Sequence, residues 1–311
     1  MHLDGAPSES AARVPVVSIL IPAYNYVAGV VRILRPLLAE RRRDLEILVH
    51  DDSNNDLVEC AVAEMKAEHP YLYYVRNSPR RGAVDNWNQL LRTARGHYIL
   101  LVHHDDVPLS ERFGAELIAE LSRCAWPDAL ILTCVTHDVV RDRLKPGVAN
   151  TLRLLIVRRW PIYLWRRNVL GPPAALVIRR DLFEGFDRRL KWLVDVDAYY
   201  RFLIGKARRL DVSPLVVVSS TGLAGAISTS IRAERAKIAD AELAYAAGKF
   251  PPEWRWSVLR GSTLAGRIML GLEWLMWIAI KASSAACAKL SRPRLSLTAI
   301  QRRIAGVAGN Q

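Results

Sequence analysis

The stretch Tyr98-Ile99-Leu100-Leu101-Val102-His103-His104-Asp105-Asp106 is an apolar run that stops at two histidines and two adjacent carboxylates. The carboxyl end of a buried strand is expected to have this pattern, and ligands of α/β proteins bind at that edge of the sheet. Because aspartate is seldom tolerated near a core unless it is paired or metal-bound, the stretch predicts a divalent cation that carries a diphosphate. The alternative is a polar turn that begins the next helix, with Asp106 or Ser110 as its cap.

The same pattern occurs earlier in the chain. The run Leu45–Val49 ends at His50-Asp51-Asp52, and the run Val16–Ile21 ends at Pro22. From residue 16 to about residue 136, runs of strand length alternate with segments of helical periodicity. This alternation predicts an α/β fold, in which a mostly parallel, Rossmann-like sheet is flanked by helices. Both aspartate pairs would then face one edge of one sheet, which indicates a binding crevice.

Composition and missing motifs narrow the function classes. The net charge of +13 and the isoelectric point of about 9.9 indicate acidic partners such as nucleic acid, anionic lipid or phosphorylated substrates. Because no helix-turn-helix, zinc or RNA-recognition signature is present, we expect no nucleic-acid partner. A dinucleotide-dependent dehydrogenase is disfavoured because no GxGxxG motif follows the first strand, and a P-loop is also absent. The four cysteines lack CxxC spacing, so neither zinc nor disulfides are expected, and a reducing cytosol fits best.

Several short motifs follow one another in a fixed order. They are Pro22-Ala23-Tyr24-Asn25, Asp51-Asp52-Ser53-Asn54, Asn77, Arg81-Gly82 with Asn86-Trp87-Asn88, His103-His104-Asp105-Asp106, Gly171-Pro172-Pro173 and Asp195. In this order they resemble the family 2 inverting glycosyltransferases of the GT-A fold, over residues 16 to 230. The resemblance implies transfer of a sugar from a nucleotide-diphosphate donor, a UDP-sugar, to a hydroxyl of a lipid-linked or cell-surface polysaccharide acceptor.

The resemblance also implies roles on the donor side. The residues implied to bind the nucleotide are Pro22, Ala23, Tyr24, Asn25, Asp51, Asp52, Asn77, Arg81, Asn86 and His104. Asp105 would be the main protein ligand of Mg²⁺ or Mn²⁺, hard cations that prefer carboxylate and phosphate oxygens. Asp106 and His103 are further candidate ligands of this metal. The ion would neutralise the charge that develops on the departing nucleoside diphosphate.

On the acceptor side, the resemblance implies that Asp195 is the general base of the transfer. Residues two apart on a helix point about 200° away from each other, so only one of Asp195 and Asp197 can face the site. Asp197 is expected to pair with Arg201 at i+4, although it is also an acceptor-side candidate. Gly171, Pro172 and Pro173 would either shape the acceptor side or simply begin a strand.

Two departures from the family pattern bear on the metal. His103 stands where the family often has aspartate, and no histidine follows His137, whereas the family commonly returns one to the metal from a late loop. The stretch that corresponds to this loop is 223–228. The functional alternative is therefore a catalytically weak or silent GT-A scaffold protein of a membrane glycan-assembly complex.

The domain organisation follows from the same resemblance. Residues 1–14 lack the apolar region of a secretory signal and are predicted to form a disordered leader. The GT-A domain would occupy residues 15–230, with a nucleotide-sugar half at 15–136 and an acceptor half at 137–230. Residues 231–311 are predicted to form a helical C-terminal extension.

The extension contains a membrane-surface candidate, Ile268–Ala288. Trp274 and Trp277 lie in it between basic flanks, but Glu273 and Lys281 interrupt its apolar run. The uninterrupted part is too short for the roughly 20 residues that a spanning helix needs. We therefore expect a helix that lies on an anionic membrane, which places the protein at the cytoplasmic membrane's inner face. Packing on the domain or on a second subunit, and true spanning, are the alternatives.

Overall fold

The fold is that of a computed structural model, which describes residues 14–223 and 233–250. Residues 1–13 of the predicted leader, the 224–228 part of the late loop and the segment Ile268–Ala288 lie outside the described residues. The strands are β1 (Val17–Ala23), β2 (Leu45–Asp51), β3 (Leu72–Arg76), β4 (Tyr98–Leu101), β5 (Asp106–Pro108), β6 (Ala129–Asp138), β7 (Arg143–Pro146), β8 (Leu176–Arg179) and β9 (Leu210–Thr221). The helices are α1 (Val27–Ala39), α2 (Leu57–Lys66), α3 (Ala83–Thr93), α4 (Phe113–Arg123), α5 (Asn150–Arg159), α6 (Val194–Gly205) and α7 (Arg235–Ala246).

The strands form one mixed sheet in the order β3-β2-β1-β4-β8-β6-β9-β5, with β7 paired to β6. The first four strands in this order run parallel, and β6 and β9 are parallel to each other. β5, β7 and β8 pair antiparallel with their neighbours. The predicted α/β class and the mostly parallel sheet are confirmed.

The strands at the centre of the sheet are apolar because both faces are covered. Every residue of β1 and β2 is buried, as is usual for parallel strands between two helical layers. Leu20 packs in the layer with α3, α5, α6 and α7, whereas its neighbours Ile19 and Ile21 pack in the layer with α1, α2 and α4. The alternation of strand side chains therefore divides the core into two layers.

Helix α4 begins later than the sequence suggested. The helix starts at Phe113, and neither of the expected caps, Asp106 and Ser110, caps it. The carboxylate of Glu40, just after α1, instead accepts hydrogen bonds from the N–H groups of Gly114 and Ala115 at 2.7 and 2.8 Å. An anionic acceptor at a helix N-terminus satisfies orphan donors and favours the helix dipole. This cap joins residues too distant in sequence for a local motif to reveal.

The described part of the predicted extension packs on the domain. Ala246 and Phe250 are buried in the same layer as α6. The Phe250 ring lies 5.0 Å from that of Trp165 and 5.5 Å from that of Tyr200. α7 is therefore continuous with the core that surrounds α6. Among the residues described, no helix has both the length and the apolar character needed to cross a membrane.

Candidate active site

The polar motifs after β1, β2 and β4 lie at one edge of the sheet. Ala23 and Asp51, the last residues of β1 and β2, are partners in the parallel ladder. Val102, directly after β4, donates its N–H to the carbonyl of Leu20 on β1 at 2.8 Å. The two aspartate pairs therefore share an edge, as the alternation of strands and helices predicted.

The stretch after β4 is fixed at this edge by β9. Asp106 pairs with Ser219 in the antiparallel ladder between β5 and β9. The N–H of Ser220 donates to the carbonyl of Asp105 at 3.0 Å. On the other side, the close approach of α1 leaves no room for a side chain at Gly29, where a Cβ would lie 2.1 Å from the carbonyl oxygen of His104. The backbone of the two aspartates is thus held from both sides.

Three side chains at this position form an acidic cluster. Ligand atoms of His103, Asp105 and Asp106 all lie within 4.8 Å of one another. Burial, together with the charge of Asp106, raises the pKa of Asp105 to about 6. Burial opposes protonation of His103, but the nearby carboxylates of Asp106, Asp105 and Asp195 outweigh it and raise the His103 pKa. Both shifts show that negative charge is crowded at this position, so a positive charge among the carboxylates is favourable.

The cluster fits a hard divalent cation. Oδ1 of Asp106 and Nε2 of His103 are buried and find no hydrogen-bond partner in the described part of the chain. Such buried polar atoms are costly unless something binds them. Carboxylate oxygens are the ligands that Mg²⁺ and Mn²⁺ prefer. Asp105, Asp106 and His103 are therefore the residues that can hold a metal here.

Asp52 ties three of the motifs together. Its carboxylate accepts hydrogen bonds from Nδ2 of Asn77 at 3.1 Å and from the N–H groups of Arg81 and Gly82 at 2.7 and 2.8 Å. Nε of Arg81 also donates to Oδ1 of Asn77 at 3.1 Å. The structure therefore brings together residues that the sequence placed after β2, after β3 and before α3.

Asp51 and Asn86 lie beneath this loop. Asp51 is fully buried, and its carboxylate accepts hydrogen bonds from Ser53 and, at 2.8 Å, from the hydroxyl of Tyr74. Burial and the bond to Asp51 raise the pKa of Tyr74 well above its usual range. The Asn86 amide donates to the carbonyl of His50 at 2.9 Å and accepts from Asn77 at 3.0 Å. These groups support the loop from below, and the Tyr74 contribution had no sequence signal.

The motif Pro22–Asn25, at the end of β1, lies next to the loop that contains Asp52. The carbonyl of Ala23 accepts from the N–H of Asp52 at 3.0 Å, directly after Pro22. Asn25 has a positive φ of 50°, and its N–H donates to Oγ of Ser53 at 2.8 Å. Tyr24 keeps 40% of its surface exposed. An aromatic side chain is thus available to solvent beside the buried aspartates.

His104 and Arg32 lie on the α1 side of the cluster. The His104 ring packs edge-on against Tyr26 with centroids 5.6 Å apart. Burial, reinforced by His103, lowers the pKa of His104 to about 4, so the ring is neutral at pH 7. Nε and Nη2 of Arg32 are buried without a hydrogen-bond partner among the described residues, and its charge acts on His104 and Asp105. The sequence pattern gave no reason to single out Arg32, because it reads as an ordinary helix residue.

Asp195 lies in the first turn of α6, near the cluster of His103, Asp105 and Asp106. Its Oδ1 accepts from the N–H of Val196 at 2.9 Å, and its Oδ2 accepts from Nδ2 of Asn168 at 2.6 Å. Burial raises the pKa of Asp195 to about 6, although these hydrogen bonds and the charge of His103 oppose the rise. The mutual influence of His103 and Asp195 shows that the two sit within electrostatic reach of each other.

The turn at Gly171-Pro172-Pro173 lies beside Asp195. Gly171 has a φ of +85°, in the left-handed region that favours glycine. Pro173–Ala175 forms a short 3₁₀ helix, and the strand β8 begins after it at Leu176. The same Asn168 side chain that binds Asp195 also binds Gly171.

Asp197 is not brought to the acceptor side with Asp195. It is fully buried, and its two oxygens bind Nε of Arg201 at 2.8 Å and Nζ of Lys249 at 2.6 Å. The expected i, i+4 pair with Arg201 is present. The helical rotation between the two aspartates directs them to different surroundings. Asp197 therefore joins α6 to the segment after α7.

The family comparison agrees with this geometry. The family model "Glycosyl transferase family 2" matches residues 18–161. That region contains β1 to α5 and every donor-side motif described above. This part of the chain, residues 18–161, belongs to glycosyltransferase family 2, and the fold is GT-A.

Curated relatives and a solved structure extend the comparison. An uncharacterized protein of Mycobacterium tuberculosis is 30% identical over 62% of this chain and 63% of its own length. The chondroitin synthase of Escherichia coli is 30% identical over 62% of this chain, but the match spans only 27% of that protein. The solved mannosyltransferase of Pyrobaculum calidifontis in complex with GDP-Man and Mn²⁺ is 23% identical, with a TM-score of 0.56, and the match covers 99% of this chain and 83% of that one. The chain thus spans less than two thirds of these curated relatives, and the structural likeness concerns the fold.

Proposed function

We propose that this protein is an inverting hexosyltransferase that transfers a sugar from a UDP-sugar to a hydroxyl of a lipid-linked or cell-surface polysaccharide acceptor. The observation that carries the proposal is the position of Asp195 within electrostatic reach of the His103, Asp105 and Asp106 cluster. These residues supply a candidate cation site and a separate carboxylate of raised pKa, which are the two groups that such a transfer needs.

The donor would bind along the loop that Asp52 organises. Asp105, with Asp106 and His103, would hold Mg²⁺ or Mn²⁺, and the ion supplies Lewis-acid stabilisation of the departing diphosphate when bound. Tyr24 would offer an aromatic surface for the nucleotide base, and Arg81, on the loop that Asp52 organises, would lie near the diphosphate. The remaining donor-side residues support this loop or the adjoining motif Pro22–Asn25. A uracil base follows from the resemblance to the family, and the relative with GDP-Man makes guanine the competing base to test.

Asp195 would act as the general base. At neutral pH a carboxyl of pKa about 6 is mostly ionised, yet basic enough to accept a proton. The acceptor hydroxyl gives its proton to Asp195 as its oxygen attacks the anomeric carbon. The bond from that carbon to the diphosphate oxygen breaks, and its electron pair leaves with the nucleoside diphosphate. A single in-line displacement inverts the anomeric configuration.

A lipid-linked acceptor would lie in a membrane, so the protein would work at a membrane surface. We propose peripheral association with the inner face of the cytoplasmic membrane, supported within the described residues by the surface at the end of α5. Leu155 and Trp160 are 58% and 42% exposed there, beside Arg158 and Arg159. Exposed tryptophan and arginine favour anionic interfaces. Binding to phosphatidylglycerol vesicles but not to phosphatidylcholine vesicles is expected, and equal binding to both would count against it.

The test of the activity uses donors, metals and two variants. UDP-, GDP- and dTDP-sugars are compared by thermal shift with Mg²⁺ or Mn²⁺, and turnover is followed by release of the nucleoside diphosphate. Asp195→Asn should abolish transfer while leaving donor affinity nearly intact, whereas Asp105→Ala should weaken metal-dependent donor binding. Asp240→Asn, an exposed carboxylate on α7, is the matched control.

The outcomes separate the proposed roles. Wild-type turnover in Asp195→Asn would overturn the assignment of the base. Donor binding that is independent of metal in both the wild type and Asp105→Ala would overturn the assignment of the cation site. A wild-type protein that binds donor but never turns it over with any acceptor fraction would instead indicate the silent scaffold.

A further inference from the structure

The side-chain amide of Asn168 forms four hydrogen bonds, two donated by its nitrogen and two accepted by its oxygen. Its Nδ2 donates to the carbonyl of Gly171 at 2.9 Å and to Oδ2 of Asp195 at 2.6 Å. Its Oδ1 accepts from the N–H groups of Leu170 and Gly171 at 3.1 and 3.0 Å. An amide has two donor hydrogens and an oxygen with two lone pairs. The side chain thus joins the Gly171 turn to the carboxylate at the start of α6.

The turn that carries Asn168 is itself anchored. Arg153 on α5 is only 2% exposed, and its guanidinium donates to the carbonyl of Val169 at 2.9 Å and to the carbonyl of Leu170. It also donates to the carbonyl of Leu132 on β6 at 2.5 Å. The backbone on the C-terminal side of Asn168 is therefore fixed to the sheet, so the amide is presented to Asp195 from a rigid support.

We propose that Asn168 is a positioning residue that fixes the orientation of the Asp195 carboxylate for proton transfer. This inference rests on the proposed role of Asp195 as the general base. One hydrogen bond from Val196 and one from Asn168 hold the two carboxylate oxygens, while each oxygen keeps a lone pair for the acceptor hydroxyl. Because the same amide closes the Gly171 turn, the base and the acceptor-side turn are set relative to each other by one side chain.

The chemistry of an amide is specific at this position. In Asn168→Asp the NH₂ donor is replaced by an oxygen that faces Oδ2 of Asp195, so attraction turns into repulsion between two acceptors. In Asn168→Ala the carboxylate loses a donor and the turn loses three hydrogen bonds. Asn168→Ser keeps a hydroxyl but is too short to span both partners. A graded loss, with Asn168→Asp the most severe, is the expected order.

The test separates kcat from binding. For Asn168→Ala we expect kcat to fall by about 10- to 100-fold, the size expected when a reacting group is misplaced by a fraction of an ångström to one ångström. The Kd for UDP with Mn²⁺, measured by calorimetry, should not change, because Asn168 touches none of the donor-side residues. Asp128→Ala is the structural control. Its carboxylate holds the N–H groups of Arg208 and Arg209 at 2.8 and 2.9 Å, at the end of β6 remote from the site.

Asp128→Ala should lower thermal stability with kcat unchanged, which shows that loss of an anchored turn does not by itself slow transfer. In the double variant Asn168→Ala/Asp195→Asn, kcat should equal that of Asp195→Asn alone, because the amide acts only through the base. A wild-type kcat in folded Asn168→Ala, with Asp195→Asn inactive, would overturn this inference and leave the proposed function standing. An active Asp195→Asn would overturn the base itself. If Asn168→Ala does not fold, Asn168→Ser gives the same comparison.

Discussion

Glu242→Ala is predicted to destabilise the domain by releasing the start of α6. Glu242 lies on α7 and is 7% exposed. Its carboxylate accepts from the N–H groups of Lys191 at 2.5 Å, Trp192 at 3.1 Å and Leu193 at 2.8 Å. A hydrogen bond to a charged group contributes about 1.5–3 kcal/mol. The three donors share one carboxylate, and water can enter the space left by truncation, so the contributions do not add fully.

We expect a loss of about 3 kcal/mol in the free energy of unfolding. For a domain of this size, that loss lowers the melting temperature by about 6–12 °C. Urea unfolding followed by circular dichroism gives the change directly, provided that the dependence on urea concentration keeps its slope. Glu242→Gln should lie between the wild type and Glu242→Ala, because one oxygen is kept while an added NH₂ faces other donors.

Asp240→Ala is the matched control on the same helix, where an exposed carboxylate is removed. Its effect should stay within about 0.5 kcal/mol. The reasoning would be refuted if Glu242→Ala lost less than about 1 kcal/mol, or no more than Asp240→Ala. Because α6 carries Asp195, Glu242→Ala should also lower kcat at temperatures where the protein remains folded.

Three further predictions concern the site. Transfer should fall about tenfold per pH unit below about pH 6, because Asp195 must be ionised to accept a proton and burial raises its pKa to about 6; a pH profile of kcat at saturating metal that stays flat to pH 5 would contradict this. Gly29→Ala should weaken Mn²⁺ binding about tenfold, since its Cβ would meet the His104 carbonyl, whereas Gly205→Ala, with nothing within 4 Å, should bind normally in the same titration. Arg153→Met should lower the free energy of unfolding, measured in urea, by about 2–4 kcal/mol, because it leaves buried carbonyl groups without a hydrogen-bond donor. A loss below about 1 kcal/mol would show that water replaces the guanidinium.

The donor half could be predicted from sequence because its signals are local. The apolar runs before Pro22, His50 and His103 correspond to β1, β2 and β4 within a residue or two. Parallel strands bring their carboxyl ends to one edge, so the placement of both aspartate pairs followed from the alternation alone. The pattern could not tell that Asp51 is internal and bound to Tyr74, because that depends on a neighbouring strand's register.

Other features depend on contacts between distant segments. β5 has only three residues, Asp106–Pro108, and exists because β9 returns to pair with it. A strand of three residues is too short to be predicted from a periodic pattern in the sequence. The anchors supplied by Glu40 and Glu242 are similar, since a glutamate in or just after one helix gives no local sign that it binds N–H groups at the start of another. Asn168 lies in an irregular segment, where an asparagine ordinarily indicates only a turn.

The two parts of the candidate site differ in the same way, since one depends on local signals and the other on contacts between distant segments. The donor-side candidates lie within residues 18–161, most of them next to the ends of β1, β2, β3 and β4. Asp195 lies beyond that region, on a helix whose position depends on Asn168 before it and on Glu242 and Lys249 after it. A motif search therefore detects the half that we propose binds the nucleotide, while the geometry of the proposed base is set by contacts that leave no motif. Substitutions of Glu242 and Lys249 should consequently alter transfer and leave donor binding intact, because they act on the support of α6 and not on the sheet edge.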